Sequence, residues 1–255
     1  MIRPTARALM VPLVAWPLIV GGATSAGPPN RQVPRWGELV DPSRDCKVAP
    51  GPAGDGLTIS VPGTPHLLSA ELDRLPLAAP RVVRPVAGDF RATVRVGGRL
   101  DPGPARSSVY SPYHGAGLLV WKDRQNYLRL ERAVGEVGGR AMPYLNFELR
   151  SRGRLSFSRG IPIEDRPAHL RVGRVGGQIR AWHSPDGERW SELAGPPTPL
   201  AGPVEVGVVA VNSSRRLLVA ELGSLEVEAG EPASASPLPP APTDPTSKPA
   251  DAFGP

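Results

Sequence analysis

Two carboxylates are the first candidates for chemistry. Glu131 lies in the run Tyr127 to Arg132 and Glu148 in the run Pro143 to Arg150. Both runs alternate apolar and polar residues, so each carboxylate shares a strand face with an arginine two positions away. Arg129 stands beside Glu131 in this way, and Arg150 beside Glu148. Two carboxyl groups about 5 to 9 Å apart over an open cleft can cleave a glycosidic bond. Arginines so close instead lower carboxylate pKa values and suit ion pairs better than acid catalysis. Two readings therefore stand: a glycoside hydrolase-like enzyme using Glu131 and Glu148, or a surface that binds without catalysis. The hydrolase reading loses if each carboxylate is locked against an arginine.

The same faces carry groups suited to sugars, which need flat aromatic surfaces and planar polar groups that bond hydroxyls. Trp121 and Tyr127 flank a short polar break and would stack on a ring. Arg129, Glu131, Asn146, Glu148, Arg150 and Arg171 would hydrogen-bond to it. Tyr110, Tyr113 and His114 belong to a long loop, Gly97 to His114, and could wall the groove. The competing reading makes Trp121 and Tyr127 a cross-strand pair that stabilises a hairpin, with Arg/Glu pairs solvating the sheet.

Metal and cofactor chemistry find little support. His66, His114, His169 and His183 have no shared ligand spacing. No Asp-rich calcium loop exists. Asp41 with Asp45, or Asp123 with Asn126, could lend oxygens to a structural calcium, or they are satisfied turn residues. There is no Gly-x-Ser-x-Gly nucleophile motif. We expect no cofactor and no catalytic metal. Cys46 is the single cysteine, so no internal disulfide forms. It reads as a small buried hydrophobe, or else as a reactive thiol or intermolecular crosslink.

These residues need strands to position them. Gly115 to Arg132 reads as a hairpin: an apolar run Gly117 to Trp121, a polar break Lys122 to Asn126, and an alternating run Tyr127 to Arg132. Leu128 and Leu130 face one way; Tyr127, Arg129 and Glu131 face the other. Phe90, Ala92, Val94 and Val96 give a second one-sided strand, and Leu145, Phe147 and Leu149 a third. Pro185 to Glu188 is a turn of the Asp-Gly kind. It resembles the Asp-box of sialidase propellers, which makes Trp190 a core residue in preference to a sugar platform. We count about twelve strands and no helix beyond a short turn at Leu67 to Leu75. Short strands with Gly/Pro turns predict an all-β sandwich or barrel.

Residues 1–26 read as a secretory signal peptide, with Arg3 and Arg7 ahead of the apolar run Ala8 to Val20 and small residues at Thr24, Ser25 and Ala26. An uncleaved anchor is the rival, although the run is short and broken by Pro12 and Pro17. Residues 229–255 form a Pro/Ala/Ser-rich tail read as disordered. A domain over 33–228 lies between. The expected location is extracytoplasmic, with no membrane span in the mature chain. The net charge of +6 comes from arginines interleaved with acids along the domain, and the three lysines are Lys47, Lys122 and Lys248. No nucleic-acid motif accompanies them, so no nucleic-acid partner is expected. A basic face could favour an anionic polysaccharide.

The order of the pieces from Trp36 to Pro42 with Asp45-Cys46, Val61 to His66, Gly88 to Val96, Gly115 to Arg132, His169 to Gly177, Ser184 to Trp190 and Val206 to Asn212 resembles a family of concanavalin A-like lectin/glucanase domains. This is a domain-of-unknown-function family, sometimes labelled as regulators of enolase. The pieces are also similar to the β-sandwich appended to some xylan-degrading glycosidases. The resemblance covers roughly residues 36–228. It implies a two-sheet jelly-roll sandwich with one concave face open to ligand, and a carbohydrate-binding role. Glucanases of this fold carry Glu-x-Asp-x-x-Glu on one strand, a pattern absent here. The expectation is a secreted, non-catalytic, carbohydrate-binding module; a protein-interaction or envelope structural module is the third reading.

Overall fold

The computed structural model describes residues 31–52, 54–69, 77–103, 111–137, 140–196 and 200–229. The alternation seen in the sequence becomes sixteen strands in two antiparallel sheets, with no helix among the described residues. The first sheet runs β1 (Arg31–Val33), β2 (Gly37–Val40), β5 (Arg81–Val86), β14 (Val204–Asn212), β7 (Tyr113–Asp123), β8 (Asn126–Val137), β9 (Arg140–Ser151), β10 (Arg154–Pro162). The second runs β13 (Ser191–Leu193), β12 (Gln178–Ser184), β11 (Ala168–Val175), β6 (Phe90–Gly97), β15 (Leu218–Leu222), β4 (Leu57–Val61), β3 (Lys47–Pro50). Beside β6, where β15 leaves it, runs β16 (Glu226–Ala229).

The main core fills the space between the sheets. Leu118, Val120, Leu128, Leu130, Leu145, Phe147, Val206 and Val208 enter it from the first sheet, and Ile59, Phe90, Val94, Leu170, Val172 and Ala220 from the second. Each set follows strand parity, because side chains two apart share a face. Trp36 is buried in this core, as expected of an anchor for the N-terminal strands. Cys46 is half-buried against the same core. Among the described residues no helix is long and apolar enough to cross a membrane.

The central hairpin is longer and its turn tighter than the sequence suggests. β7 and β8 pair from Tyr113↔Gly135 to Asp123↔Asn126, with a bulge after Trp121. Asp123 closes the turn by accepting from the Gln125 amide at 2.7 Å and from Asn126 Nδ2 at 2.9 Å. These two are turn residues bonded to each other, a typical role for Asp and Asn.

A second apolar cluster lies on the outer face of the first sheet. Val83, Leu119, Trp121, Tyr127, Val209 and Val211 are covered there by Leu68, Leu77 and Ala79. Leu68, Leu77 and Ala79, ahead of β5, thus lie over the sheet. The Ala78 and Ala79 amides both donate to Leu67 O. The helical turn expected at Leu67 to Leu75 falls largely outside the described residues.

Candidate functional site

Strand pairing sets the site. Across β7, β8, β9 and β10 one row reads Gly117, Glu131, Asn146, Gly160, and the next reads Leu119, Arg129, Glu148, Ser158. The row after that holds Trp121, Tyr127 and Arg150. So five of the expected polar residues do converge on the outer face of one sheet.

They form an interlocked charge network. Arg129 pairs with Glu148 at 2.5 Å through its terminal nitrogen and lies 3.4 Å from Glu131 through the other. Arg150 Nε donates to Glu148 at 2.6 Å. Burial pushes the Glu148 carboxyl up, but the charges and hydrogen bonds of Arg129 and then Arg150 outweigh it and hold it below the usual range. A carboxyl kept ionised in this way has no proton to give a leaving group. Both Glu131 and Glu148 are held by the one guanidinium, an arrangement made for ion pairing.

Tyr113 joins this network, from the start of β7 and not from a loop. Its ring folds back over Gly115, where a Cβ would lie 2.4 Å from the phenol oxygen, so only glycine fits there. The phenol donates to Glu131 Oε2 at 2.6 Å. Asn146 Nδ2 donates to the same oxygen at 2.9 Å. Tyr144, two residues from Asn146 and on its face, is a site residue that the sequence reading missed; their shared parity was the signal. One edge of its ring lies toward Gly135 and the other toward Gly160. It meets Tyr113 edge-on, with ring centroids 6.3 Å apart. Burial, and then Glu131, raise both phenols, Tyr144 to about 12, so each is a neutral donor.

One feature of the network is lopsided. Glu131 Oε2 accepts from Tyr113 and Asn146, while Oε1 is buried with no hydrogen-bond partner. Arg129 Nε is likewise buried without an acceptor. A buried polar atom without a partner costs about 1–3 kcal/mol, and its presence calls for an explanation.

Four expected residues stay out of this network. Trp121 and Tyr127 share this face but stack on each other, ring centroids 5.1 Å apart, with 8 % and 0 % of their surface exposed. The Tyr127 hydroxyl donates to Leu68 O at 3.1 Å, and the Arg81 guanidinium lies 4.5 Å from the Trp121 ring. This is the cross-strand pair, covered by Leu68, Leu77 and Ala79, and that cover, which Arg129 and Glu131 do not share, keeps a sugar from its rings. Arg171 is on the other sheet, because β11 pairs with β6 and not with the central hairpin. There it sits 3.6 Å from the Trp190 ring, so Trp190 is a half-exposed partner on the outer face and not a core residue. His114 has the opposite parity to Tyr113. It is buried against Ser214 Oγ at 2.8 Å, and burial lowers it to about 4. Tyr110 lies outside the described residues.

The placement of Arg171 gives a first prediction. Arg171→Ala removes one cation–π contact and one hydrogen bond to Thr93 Oγ1 on the far sheet, and is expected to cost about 1–2 kcal/mol of stability in urea unfolding. It should leave ligand affinity at the first sheet unchanged.

No protein-family model matches this chain, and no curated protein matches it. Solved structures do. A functionally unknown protein from Saccharomyces cerevisiae superimposes with a TM-score of 0.60 at 18 % identity, over 77 % of this chain and 97 % of that one. The carbohydrate-binding module CBM66 of Bacillus subtilis gives a TM-score of 0.45 at 14 % identity, over 76 % and 96 %. The GH43 protein BlXynB of Bacillus licheniformis gives 0.49 at 16 % identity, over 69 % of this chain but 33 % of that one. The chain is an all-β, two-sheet sandwich of the jelly-roll kind. The yeast protein shows that fold; the other two likenesses are looser, and the chain spans about a third of the GH43 protein.

Proposed function

We propose that this domain is an exported, non-catalytic binding module that takes a carbohydrate on the face of the first sheet. The sugar would lie against Tyr144 and Tyr113 and engage Glu131, Asn146 and Arg129. One observation carries the reading. Glu131 Oε1 is an acceptor without a donor, and Arg129 Nε, two residues away on the same face, is a donor without an acceptor. A hydroxyl group both donates and accepts, so it is the ligand group that answers both atoms. Neutral tyrosines beside them supply apolar faces with polar tips, as sugar sites do. The basic-then-apolar start of residues 1–26 supports export. The order of motifs from Trp36 to Asn212 supports membership of the domain-of-unknown-function family named above.

The test is a glycan-array screen of the chain, with reducing-sugar release assayed beside it. Binding without release is the expected result, and Glu131→Gln should remove it. The complete burial of Glu131 favours a second reading, in which the network is structural and the domain docks a protein. A folded chain that binds no glycan selects that reading.

A further inference from the structure

Where the loop before β3 meets the turn after β4, three side chains of different chemistry converge. Asp45 Oδ1, Cys46 Sγ and His66 Nε2 all lie within 4.8 Å of one another. Asp45 Oδ1 is 2.8 Å from the imidazole nitrogen and 3.7 Å from the sulfur. The sequence shows no ligand motif here, because Asp45 and His66 stand 21 residues apart.

The imidazole is oriented as metal-binding imidazoles are. His66 is 1 % exposed, and its Nδ1 lies 2.8 Å from the Thr64 carbonyl oxygen. A carbonyl can only accept, so Nδ1 carries a proton. In the neutral ring the Nε2 lone pair then points at the Asp45 carboxylate. A ring nitrogen lone pair and a carboxylate oxygen facing each other are two donor atoms that a metal ion can bridge. The Cys46 thiol beside this gap donates to Asp45 Oδ1, and as a thiolate it would complete a ligand set for a metal. A ring N–H fixed on a backbone carbonyl is the usual outer partner of a ligating histidine.

The frame is also set in advance. Asp41 Oδ1 and Oδ2 accept from the Arg44 and Cys46 amides at 3.1 and 3.0 Å, which fixes the loop carrying two of the ligands. The His66 backbone is held by a two-bond bridge to Asn212. Zinc bonds of about 2.0–2.3 Å place tetrahedral ligands about 3.3–3.6 Å apart. The carboxylate–sulfur distance already matches that spacing, and the carboxylate–imidazole distance needs to open by about half an ångström. Asp45 keeps 44 % of its side chain exposed, so solvent can reach a fourth position.

We propose that Asp45, Cys46 and His66 bind a divalent ion of the zinc type, with water completing the tetrahedron. One nitrogen, one sulfur and one oxygen donor suit zinc or cobalt and not calcium, which takes oxygen ligands. The ion would pin the loop of residues 41–46 to the turn of residues 63–66.

The experiment uses the full chain, stripped with a chelator, kept reduced with a phosphine and titrated with Co²⁺. The expected result is one ion per chain, a thiolate-to-cobalt charge-transfer band with the strong visible bands of tetrahedral cobalt, and loss of both on adding Zn²⁺. Cys46→Ser should abolish the charge-transfer band. Asp45→Asn, at an exposed side chain that leaves folding intact, should weaken zinc at least about tenfold, as even outer partners of a metal site do. Zn²⁺ should raise the unfolding midpoint of the wild type and not that of Asp45→Asn. A folded chain that takes up neither metal overturns the proposal and leaves a hydrogen-bonded His66–Asp45 pair. Cobalt spectra unchanged in Cys46→Ser overturn it as well.

Discussion

Arg129→Ala is expected to lower the unfolding free energy by about 3–5 kcal/mol in urea titrations, because it strands buried charge. Arg129 lies in ion-pair contact with both Glu131 and Glu148. Without it Glu148 keeps Arg150, but Glu131 keeps only the phenol and amide on Oε2. A loss below about 1 kcal/mol, the usual worth of an exposed pair, would show instead that water reaches the network.

The same network predicts an acid response. The folded Glu148 carboxyl lies below its ordinary value of 4.5, so its contribution is fully present above that pH. As pH falls through the folded value the carboxylate takes up a proton and the contribution disappears. Stability should drop on acidifying below 4.5, and Glu148→Gln should flatten that part of the profile. An unchanged slope in Glu148→Gln would assign the acid response to other carboxylates.

Trp121→Ala is the second large effect, at about 3–5 kcal/mol, the range for emptying a buried aromatic site. The ring contacts Tyr127 on one side, lies under the Arg81 guanidinium, and belongs to the apolar cluster sealed by Leu68 and Leu77. Its removal leaves a cavity and takes from Arg81 the aromatic surface that partly offsets burial. Any sugar binding lost in this variant would report unfolding, which separates it from Glu131→Gln. A Trp121→Ala chain within about 1 kcal/mol of wild type would mean that the ring is not packed as described, and would reopen it as a platform.

Parity was legible in the sequence, and neighbours were not. Alternation alone placed Leu128, Leu130, Leu145 and Phe147 inward and Arg129, Glu131, Asn146 and Glu148 on the opposite face, and the pairing of β8 with β9 puts them there. Alternation cannot say what lies above a face. The cover on Trp121 and Tyr127 comes from Leu68, Leu77 and Ala79, some fifty residues earlier, so a face read as surface is a second core. Nor can it say which sheet a strand joins. Arg171 had a suitable type and parity, but β11 pairs with β6. Tyr144 shared parity with Asn146 and was legible; its strand was read for its acids and arginines alone. The convergence of Asp45, Cys46 and His66 depends on the loop before β3 meeting the turn after β4, which no local spacing encodes.

The central claim is that the unpaired oxygen of Glu131 and the neighbouring Arg129 receive a sugar hydroxyl. Calorimetric titration of the tightest array ligand into wild type, Glu131→Gln and Arg171→Ala tests it most directly. The Gln amide keeps the size of the side chain and can place a donor where the unpaired acceptor stood. The account predicts a dissociation constant raised at least about tenfold in Glu131→Gln, matching the 1.5–3 kcal/mol of a hydrogen bond to a charged group, and unchanged in Arg171→Ala. Equal affinity in all three folded proteins, or a loss confined to Arg171→Ala, would contradict it and move the site off this face.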